Sequence, residues 1–171
     1  MHNSKKLILC GLFVALLAVG AHLQIPLAGV PVTMQTLFVF LAGLLLGKAY
    51  APLTLSGYLL LGLLGLPVFS RGGGIGYVFE PTFGYLLGFV LGSFITGFLT
   101  EKNHPFLGVV CGLSVIYLLG SVWYCLVATV YLNQALSVSA LLTTCVLTAL
   151  PLDCLLAGVS LLLYRRLKLH I

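Results

Sequence analysis

Asp153 is the residue of this chain best placed to do chemistry, because it is the only acidic residue inside an apolar segment long enough to cross a membrane. A charged side chain at the centre of a membrane-spanning helix costs about 2.5–3.5 kcal/mol on insertion scales, so such residues mostly face the bundle interior and carry a function. Pro151, two positions earlier, frees a backbone carbonyl nearby. Asp153 is therefore predicted either to contact a ligand or an ion, or to be a protonated carboxyl group bonded to a neighbouring hydroxyl.

The segment 65–85 carries the second group of candidate residues. It is the longest interruption between apolar runs that holds both a cation and an anion. Arg71 either pairs with Glu80 in an exposed ion pair, which contributes little to stability, or binds an anionic ligand, since a guanidinium group matches a carboxylate. Gly73, the middle one of three consecutive glycines, gives the loop the freedom to fold closely over a small molecule.

Gln35 is the third candidate, an uncharged polar residue at one end of an apolar run. An amide buried in such a place must find hydrogen-bond partners. Gln35 is therefore predicted either to tie helices together or to hydrogen-bond a ligand.

The sequence lacks the motifs of catalytic, metal-binding and phosphate-binding sites. The sequence has no paired carboxylates, no H-E-x-x-H metal motif and no nucleophile elbow, and it contains three acidic residues in all. Residues 43–48, GLLLGK, have the wrong spacing for a phosphate-binding loop, and the five cysteines form no C-x-x-C pair. The sequence predicts a protein that binds a small molecule without a catalytic centre, metal site or cofactor of its own, and that cannot by itself energise transport.

The amino-acid composition indicates that most of the chain's surface faces lipid and not water. The chain is 61% hydrophobic and 6% charged, with a mean hydropathy of +1.20, whereas a soluble domain is about 25% charged. The net charge of +5 does not indicate a nucleic-acid partner in such a chain, because the location of the charges matters more than their sum. An integral membrane protein of one domain, residues 1–171, is predicted.

The apolar runs divide the chain into six predicted spans. Runs this continuous form helices, since strands of a membrane barrel would alternate in polarity. The first run resembles a signal peptide but continues past the cleavage-like position, so it is predicted to be a retained helix. The spans are residues 7–23, 33–46, 53–66, 81–99, 106–132 and 138–163.

The distribution of basic residues predicts the orientation in the cytoplasmic membrane. With six spans, one side of the membrane collects seven basic residues and the other side only Arg71, and cytoplasmic loops carry the excess of Lys and Arg. Both termini are therefore predicted to be cytoplasmic, and the loops at 26–31, 71–80 and 133–137 to face outward. The seven residues are Lys5, Lys6, Lys48, Lys102, Arg165, Arg166 and Lys168.

Three ordered blocks of sequence resemble the BioY family. Residues 31–47, PVTMQTLFVFLAGLLLG, resemble its P-V/I-T-L-Q-T…L-A-G-L-L-L-G block. Residues 58–69, YLLLGLLGLPVF, resemble Y-L-L-L-G-x-x-G-L-P-V-F, and residues 81–89, PTFGYLLGF, resemble P-T-G-G-Y-L-x-G-F. The match covers nearly the whole chain and is strongest over residues 31–92.

The resemblance implies a six-helix subunit that captures biotin at the outer face of the membrane. BioY proteins are the substrate-binding components of energy-coupling-factor (ECF) transporters, in which a transmembrane coupling subunit carries two ATPases and those partners use the ATP. The resemblance also implies that Gly11 and Ala15 belong to the small-residue surface through which the first helix meets the coupling subunit. A subunit for another vitamin or a biotin precursor, and a facilitator that works alone, are the alternatives.

Biotin suits the candidate residues. Its ureido N–H groups match an ionised Asp153, and its tail carboxylate matches Arg71. Its rings and chain require an apolar, aromatic-lined pocket, for which Phe69 and Tyr85 are candidates together with Tyr77 and Phe83.

The chain departs from the family pattern at two positions. Leu156 stands where the P-x-D-x-x-K pattern of the last helix has lysine, so the cation that would neutralise Asp153 is absent. Phe83 replaces the first glycine of P-T-G-G. Both departures are expected to affect affinity or ligand preference.

Overall fold

The computed structural model describes residues 3–25, 30–131 and 143–168. Five helical segments in this part of the chain are long and apolar enough to cross a membrane, which confirms the predicted all-α class. The helices are α1 (Asn3–His22), α2 (Gln35–Leu63), α3 (Phe83–Glu101), α4 (Pro105–Val130) and α5 (Leu150–Lys168). The shorter elements are two paired antiparallel strands, β1 (Gln24–Ile25) and β2 (Val32–Thr33), a 3₁₀ helix (Ile75–Phe79) and a π-helical turn (Thr143–Leu147).

Helix α2 folds back on itself at Gly47. This residue has φ 76° and ψ −177°, far from helical values. Gln35 and Tyr58 lie 23 residues apart, about 34 Å along a straight helix, yet their side chains are joined by a hydrogen bond of 2.8 Å. The halves 35–46 and 48–63 therefore run side by side. They correspond to the predicted spans 33–46 and 53–66, although the predicted count of six spans stays a prediction.

The turn at Gly47 is held by the end of α3. Glu101 accepts the backbone N–H of Lys48 at Oε1 (3.1 Å) and pairs with the Lys48 ammonium at Oε2 (3.2 Å). Lys6 and Lys168 border the same depression as Gly47 and Glu101. The start of α1, the turn in α2 and the ends of α3 and α5 therefore lie at one end of the bundle.

Glycines set the close packing of α3 against α4. A Cβ on Gly88 would lie 2.8 Å from the Cα of Ile116, and one on Gly92 would lie 2.8 Å from Cγ1 of the same residue. Residues four positions apart share one face of a helix, and small residues at this spacing let helices approach closely in lipid. The small residues Gly88 and Gly92 of α3 thus allow the backbone of α4 to pack closely against α3.

The loop after α2 is anchored in the core by Phe69. Its ring is fully buried over Gly62 and contacts the rings of Tyr58 and Tyr77, at centroid distances of 5.5 Å and 4.6 Å. The Gly74 N–H donates to the carbonyl of Gly62 at 2.7 Å. The sequence predicted that the glycines make this loop flexible. In the structure they instead allow the loop to pack tightly against the end of α2.

Helix α5 begins where Pro151 was predicted to interrupt the last span. The proline stands in the first turn, where a missing N–H costs nothing, and the π-helical turn Thr143–Leu147 comes before it. Asp153 therefore lies in the first turn of α5. The predicted outer loop at 133–137 and residues 138–142 of the sixth predicted span lie outside the described residues, as do residues 26–29 of the first loop.

Candidate functional site

The helices enclose a cavity at the end of the bundle opposite the Gly47 turn. Its volume is about 40 Å³, and it is bordered by β2, α2, α3, α4 and α5. The apolar wall includes Leu86, Phe89 and Ile116. The polar side chains that line it are Thr33, Gln35, Thr36, Ser70, Tyr77, Thr82, Tyr85 and Asp153.

Asp153 offers an unpaired acceptor to this cavity. The residue is 9% exposed, and its Oδ2 accepts the hydroxyl of Tyr117 at 2.6 Å. Its Oδ1 is buried and has no hydrogen-bond partner among the described residues. A buried acceptor left without a partner costs about 1–3 kcal/mol, so a ligand that supplies an N–H or O–H group there recovers this free energy.

Tyr117 is the hydrogen-bond partner of Asp153, and the sequence did not single it out. It is buried on α4, and its ring meets that of Tyr85 edge to face at 6.0 Å. A buried tyrosine hydroxyl normally has a hydrogen-bond partner, and Asp153 was the one acid predicted inside a span. The need of a buried tyrosine hydroxyl for a hydrogen-bond partner is therefore the feature of the sequence that could have pointed to the pairing of Tyr117 with Asp153.

Gln35 connects the cavity wall to the loop that follows α2. Its Oε1 accepts the hydroxyl of Thr33 at 3.2 Å, and its Nε2 donates to the hydroxyl of Tyr58 at 2.8 Å. Tyr58 in turn donates to the carbonyl of Val68 at 2.6 Å. Gln35 thus ties the two halves of α2 together, as one of its two predicted roles required, and it also lines the cavity.

Tyr85 forms the aromatic side of the cavity and joins α3 to the segment before α5. Its hydroxyl donates to the carbonyl of Cys145 at 2.8 Å. Ser70, Tyr77 and Thr82, in the segment between α2 and α3, add a row of hydroxyl groups with spacings of 3.1 Å and 3.4 Å. Of the polar residues that line the cavity, the sequence had not singled out Thr33, Thr36, Ser70 and Thr82, because hydroxyl residues are common in membrane helices and loops.

Four predicted site residues lie in the loop but do not line the cavity. Arg71 and Glu80 form an ion pair of 3.2 Å, with side chains 47% and 36% exposed. Phe69 is the buried anchor described above, and Gly73 packs against the backbone carbonyls of Leu66 and Gly62. The structure therefore brings Asp153, Gln35 and Tyr85 together and places the other four around the loop.

No cation faces Asp153 among the described residues that line the cavity. None of the described residues that line it is a Lys, Arg or His. Leu156, one turn further along α5, is buried and apolar. No described group of three His, Cys, Asp or Glu side chains is arranged to hold a metal ion.

Gly11 and Ala15 lie on the open side of α1. A Cβ on Gly11 would meet no atom within 4 Å, and Ala15 is exposed. Their neighbours Leu7, Ile8 and Leu12 are between 52% and 73% exposed. This face of α1 is therefore not covered by the described part of the chain.

Comparison with known proteins gives consistent matches. A sequence model described as the BioY family matches residues 1–171. A probable biotin transporter BioY of Lysinibacillus sphaericus is 40% identical in an alignment of 171 positions that covers 96% of this chain and 87% of that protein. The biotin transporter BioY of Thermotoga maritima is 48% identical in an alignment of 121 positions that covers 68% of this chain and 72% of that protein.

A solved structure shares the fold. It is the crystal structure of the S-component for biotin from an ECF-type ABC transporter, with a TM-score of 0.84 and 25% sequence identity. The match covers 98% of this chain and 94% of that chain. The helices described above thus have the arrangement of an S-component along almost their entire length.

Proposed function

Because the chain belongs to the BioY family, we propose that it binds biotin at the outer face of the membrane as the S-component of an ECF transporter. The family consists of transport proteins and not of enzymes. The observation that carries the proposal is the unpaired Oδ1 of Asp153 in a cavity otherwise lined by aromatic, aliphatic and hydroxyl groups. This combination of one strong acceptor and an apolar wall suits a ureido ring fused to a thiophane ring.

The two ends of biotin have different partners in this arrangement. A ureido N–H donates to Oδ1 of Asp153, while the rings pack against Tyr85 and Phe89. The valerate tail leads toward Ser70 and the outer loop. Arg71 follows Ser70 in the chain and receives the carboxylate there by exchanging its bond to Glu80, which is exposed and therefore weak.

Binding requires the cavity to widen. Its volume of about 40 Å³ is well below the roughly 300–1,000 Å³ of small-molecule sites. The hydroxyl contacts among Ser70, Tyr77 and Thr82 are long, at 3.1 Å and 3.4 Å, and separate at low cost. The Phe69 anchor keeps the base of the loop in place while these side chains part.

The proposed membrane arrangement has six spans, with the halves of α2 counted separately and both termini in the cytoplasm. Support comes from the basic residues, since Lys6, Lys48 and Lys168 lie at the same end of the bundle as the Gly47 turn. Cytoplasmic ends of membrane proteins are enriched in such residues. The Arg71 loop then faces outward from the cytoplasmic membrane.

The partners of this subunit are a transmembrane coupling protein and two ATPases, which use the ATP. The support is the open face of α1 around Gly11 and Ala15, where a partner helix can approach closely. Interfaces of this kind depend on small side chains because lipid provides no hydrophobic driving force between helices.

Isothermal titration of the purified chain with biotin, dethiobiotin and lipoate tests the proposed function. Biotin should bind tightly, and lipoate, which has no ureido group, should bind poorly. Asp153→Ala should abolish measurable binding, whereas Cys154→Ala, an exposed neighbour on α5, should retain it. Tight binding of none of the three ligands, or full affinity in Asp153→Ala, would refute the proposal.

A further inference from the structure

The depression beside the Gly47 turn is an open concavity built from four separate segments. The start of α1, the turn in α2, the end of α3 and the end of α5 all border it. Its volume is about 430 Å³, which lies within the roughly 300–1,000 Å³ of small-molecule sites. It lies at the opposite end of the bundle from Asp153, so the biotin site does not account for it.

Two lysines that border the depression have no acidic partner among the described residues. Lys6 of α1 and Lys168 of α5 line it, and neither belongs to the two ion pairs of the described chain. The ammonium group of Lys6 lies 4.9 Å from the ring centre of Tyr50, and that of Lys168 lies 5.7 Å from the ring centre of Tyr164. Such contacts attract an ammonium group without neutralising its charge.

The acid that borders the depression is already balanced. Glu101 is the one acidic residue among the described residues that line it. Its Oε1 accepts the backbone N–H of Lys48 at 3.1 Å, and its Oε2 pairs with the Lys48 ammonium at 3.2 Å. The pair of Glu101 and Lys48 has no net charge, so Lys6 and Lys168 give the depression a surplus of two positive charges.

The depression has an apolar floor and a polar rim. Residues 44–46, three leucines directly before the Gly47 turn, form part of its lining, and Leu44 and Leu46 are buried. Asn103 at the rim contributes an amide and Tyr164 a hydroxyl group, both of which can donate hydrogen bonds. This combination suits a ligand with an anionic head and an apolar body.

The position of the depression along the helices is that of lipid headgroups. Lys6 is in the first turn of the apolar span Ser4–His22, and Lys168 is the last residue of the span Thr143–Lys168. The ends of helices that cross the hydrocarbon lie in the headgroup region of a membrane. Phosphate groups of the surrounding lipid are therefore close to both lysines.

We propose that this depression binds the phosphate group of an anionic phospholipid through Lys6 and Lys168. A phosphate diester offers two unbridged oxygens, one for each ammonium group, and lysine is a common partner of phosphate. The glycerol and the start of the acyl chains cover residues 44–46, which a free phosphate ion would leave facing water. Basic pockets between membrane helices bind the headgroups of anionic lipids in the same way. The inference does not depend on the identity of the ligand at Asp153.

Native mass spectrometry of the full chain in a mild detergent tests the proposal. Phosphatidylglycerol is the anionic probe, and phosphatidylcholine with the same acyl chains is the zwitterionic one, whose choline cation should be repelled by the two lysines. The native chain should bind phosphatidylglycerol about tenfold more tightly than phosphatidylcholine. In Lys6→Gln/Lys168→Gln the dissociation constant of phosphatidylglycerol should rise about thirtyfold, because each lysine contributes about fivefold to the attraction of an anionic lipid.

The matched control is Lys5→Gln/Arg166→Gln. It removes two positive charges from the same two helices, at positions that do not line the depression. Its dissociation constant for phosphatidylglycerol should change by less than about threefold, since these side chains attract the lipid only from a distance. Both double variants should keep the circular dichroism spectrum of the native chain.

The opposite outcomes each overturn the proposal. Equal weakening in the two double variants would show that the overall charge of this end, and not a site, attracts the lipid. Equal binding of the two lipids by the native chain, or unchanged binding in Lys6→Gln/Lys168→Gln, would exclude a site for an anionic headgroup.

Two further measurements distinguish the lipid from other anions. Inorganic phosphate added in excess should not displace phosphatidylglycerol, and full displacement would assign the site to a free anion. Lys6→Gln/Lys168→Gln should still co-purify with the coupling subunit. Loss of that partner with lipid binding unchanged would make the depression a protein interface and refute the lipid site.

Discussion

Tyr58→Phe is the most informative test of the folded-back α2 helix. Tyr58 is 2% exposed, and its hydroxyl makes two hydrogen bonds, one from Gln35 in the other half of α2 and one to Val68 in the loop after α2. Phenylalanine keeps the ring that packs on Phe69 but removes both bonds. The variant therefore separates the hydrogen bonds from the packing.

The expected magnitude follows from the groups left behind. The amide of Gln35 is buried and loses its acceptor, and the carbonyl of Val68 loses its donor. An unsatisfied buried group costs about 1–3 kcal/mol, and the carbonyl is partly accessible. The free energy of unfolding should fall by about 2–4 kcal/mol.

Unfolding by sodium dodecyl sulfate in mixed micelles, followed by circular dichroism, measures this change. Tyr131→Phe is the control, since Tyr131 is 61% exposed at the end of α4, and its stability should not change. Biotin affinity should also fall in Tyr58→Phe, because Gln35 lines the cavity. Wild-type stability and affinity in Tyr58→Phe would refute the hairpin geometry of α2.

Three further substitutions test other parts of the structure. Gly47→Ala should lower the free energy of unfolding by about 1–2 kcal/mol or more, measured in the same micelles, because alanine disfavours a positive φ; unchanged stability would contradict the turn. Gly11→Leu should retain biotin binding but lose co-purification with the coupling subunit, whereas Gly57→Leu, at an equally open glycine, should retain both; equal behaviour of the two variants would refute the docking surface. Leu156→Lys should place a cation one turn from Asp153 and lower the dissociation constant of biotin in titrations, because the ureido carbonyl gains a donor; an unchanged dissociation constant would argue against the placement of the ureido ring beside Asp153.

The sequence predicted the parts of this protein that depend on composition. Long apolar runs had to become helices, because only helices and closed barrels satisfy the backbone in lipid. The role of Asp153 as a buried polar centre followed from the same reasoning, since a carboxyl group in a span requires a partner. Neither prediction depends on which helices pack against each other.

The remaining features depend on contacts between distant residues. The predicted break between spans 33–46 and 53–66 agrees with the turn at Gly47, but the pairing of Gln35 with Tyr58 depends on how the two halves of α2 pack together, which an apolar pattern does not show. The sequence provided no prediction for Tyr117, because only the packing of α4 near α5 brings its hydroxyl to Asp153. The position of Arg71 was left open between two partners, and the structure shows its bond to Glu80, while its contact with a ligand stays a proposal.

The single-residue turn at Gly47 makes α2 intolerant of changes in length. A helical residue advances the chain by about 100° around the axis, so one inserted residue in either half would rotate Tyr58 away from Gln35 and expose a buried hydroxyl to lipid. An insertion in the exposed connection at 102–104 alters no such register. Single-residue insertions within residues 36–57 should therefore destabilise the fold, whereas insertions at the junction of α3 and α4 should be tolerated.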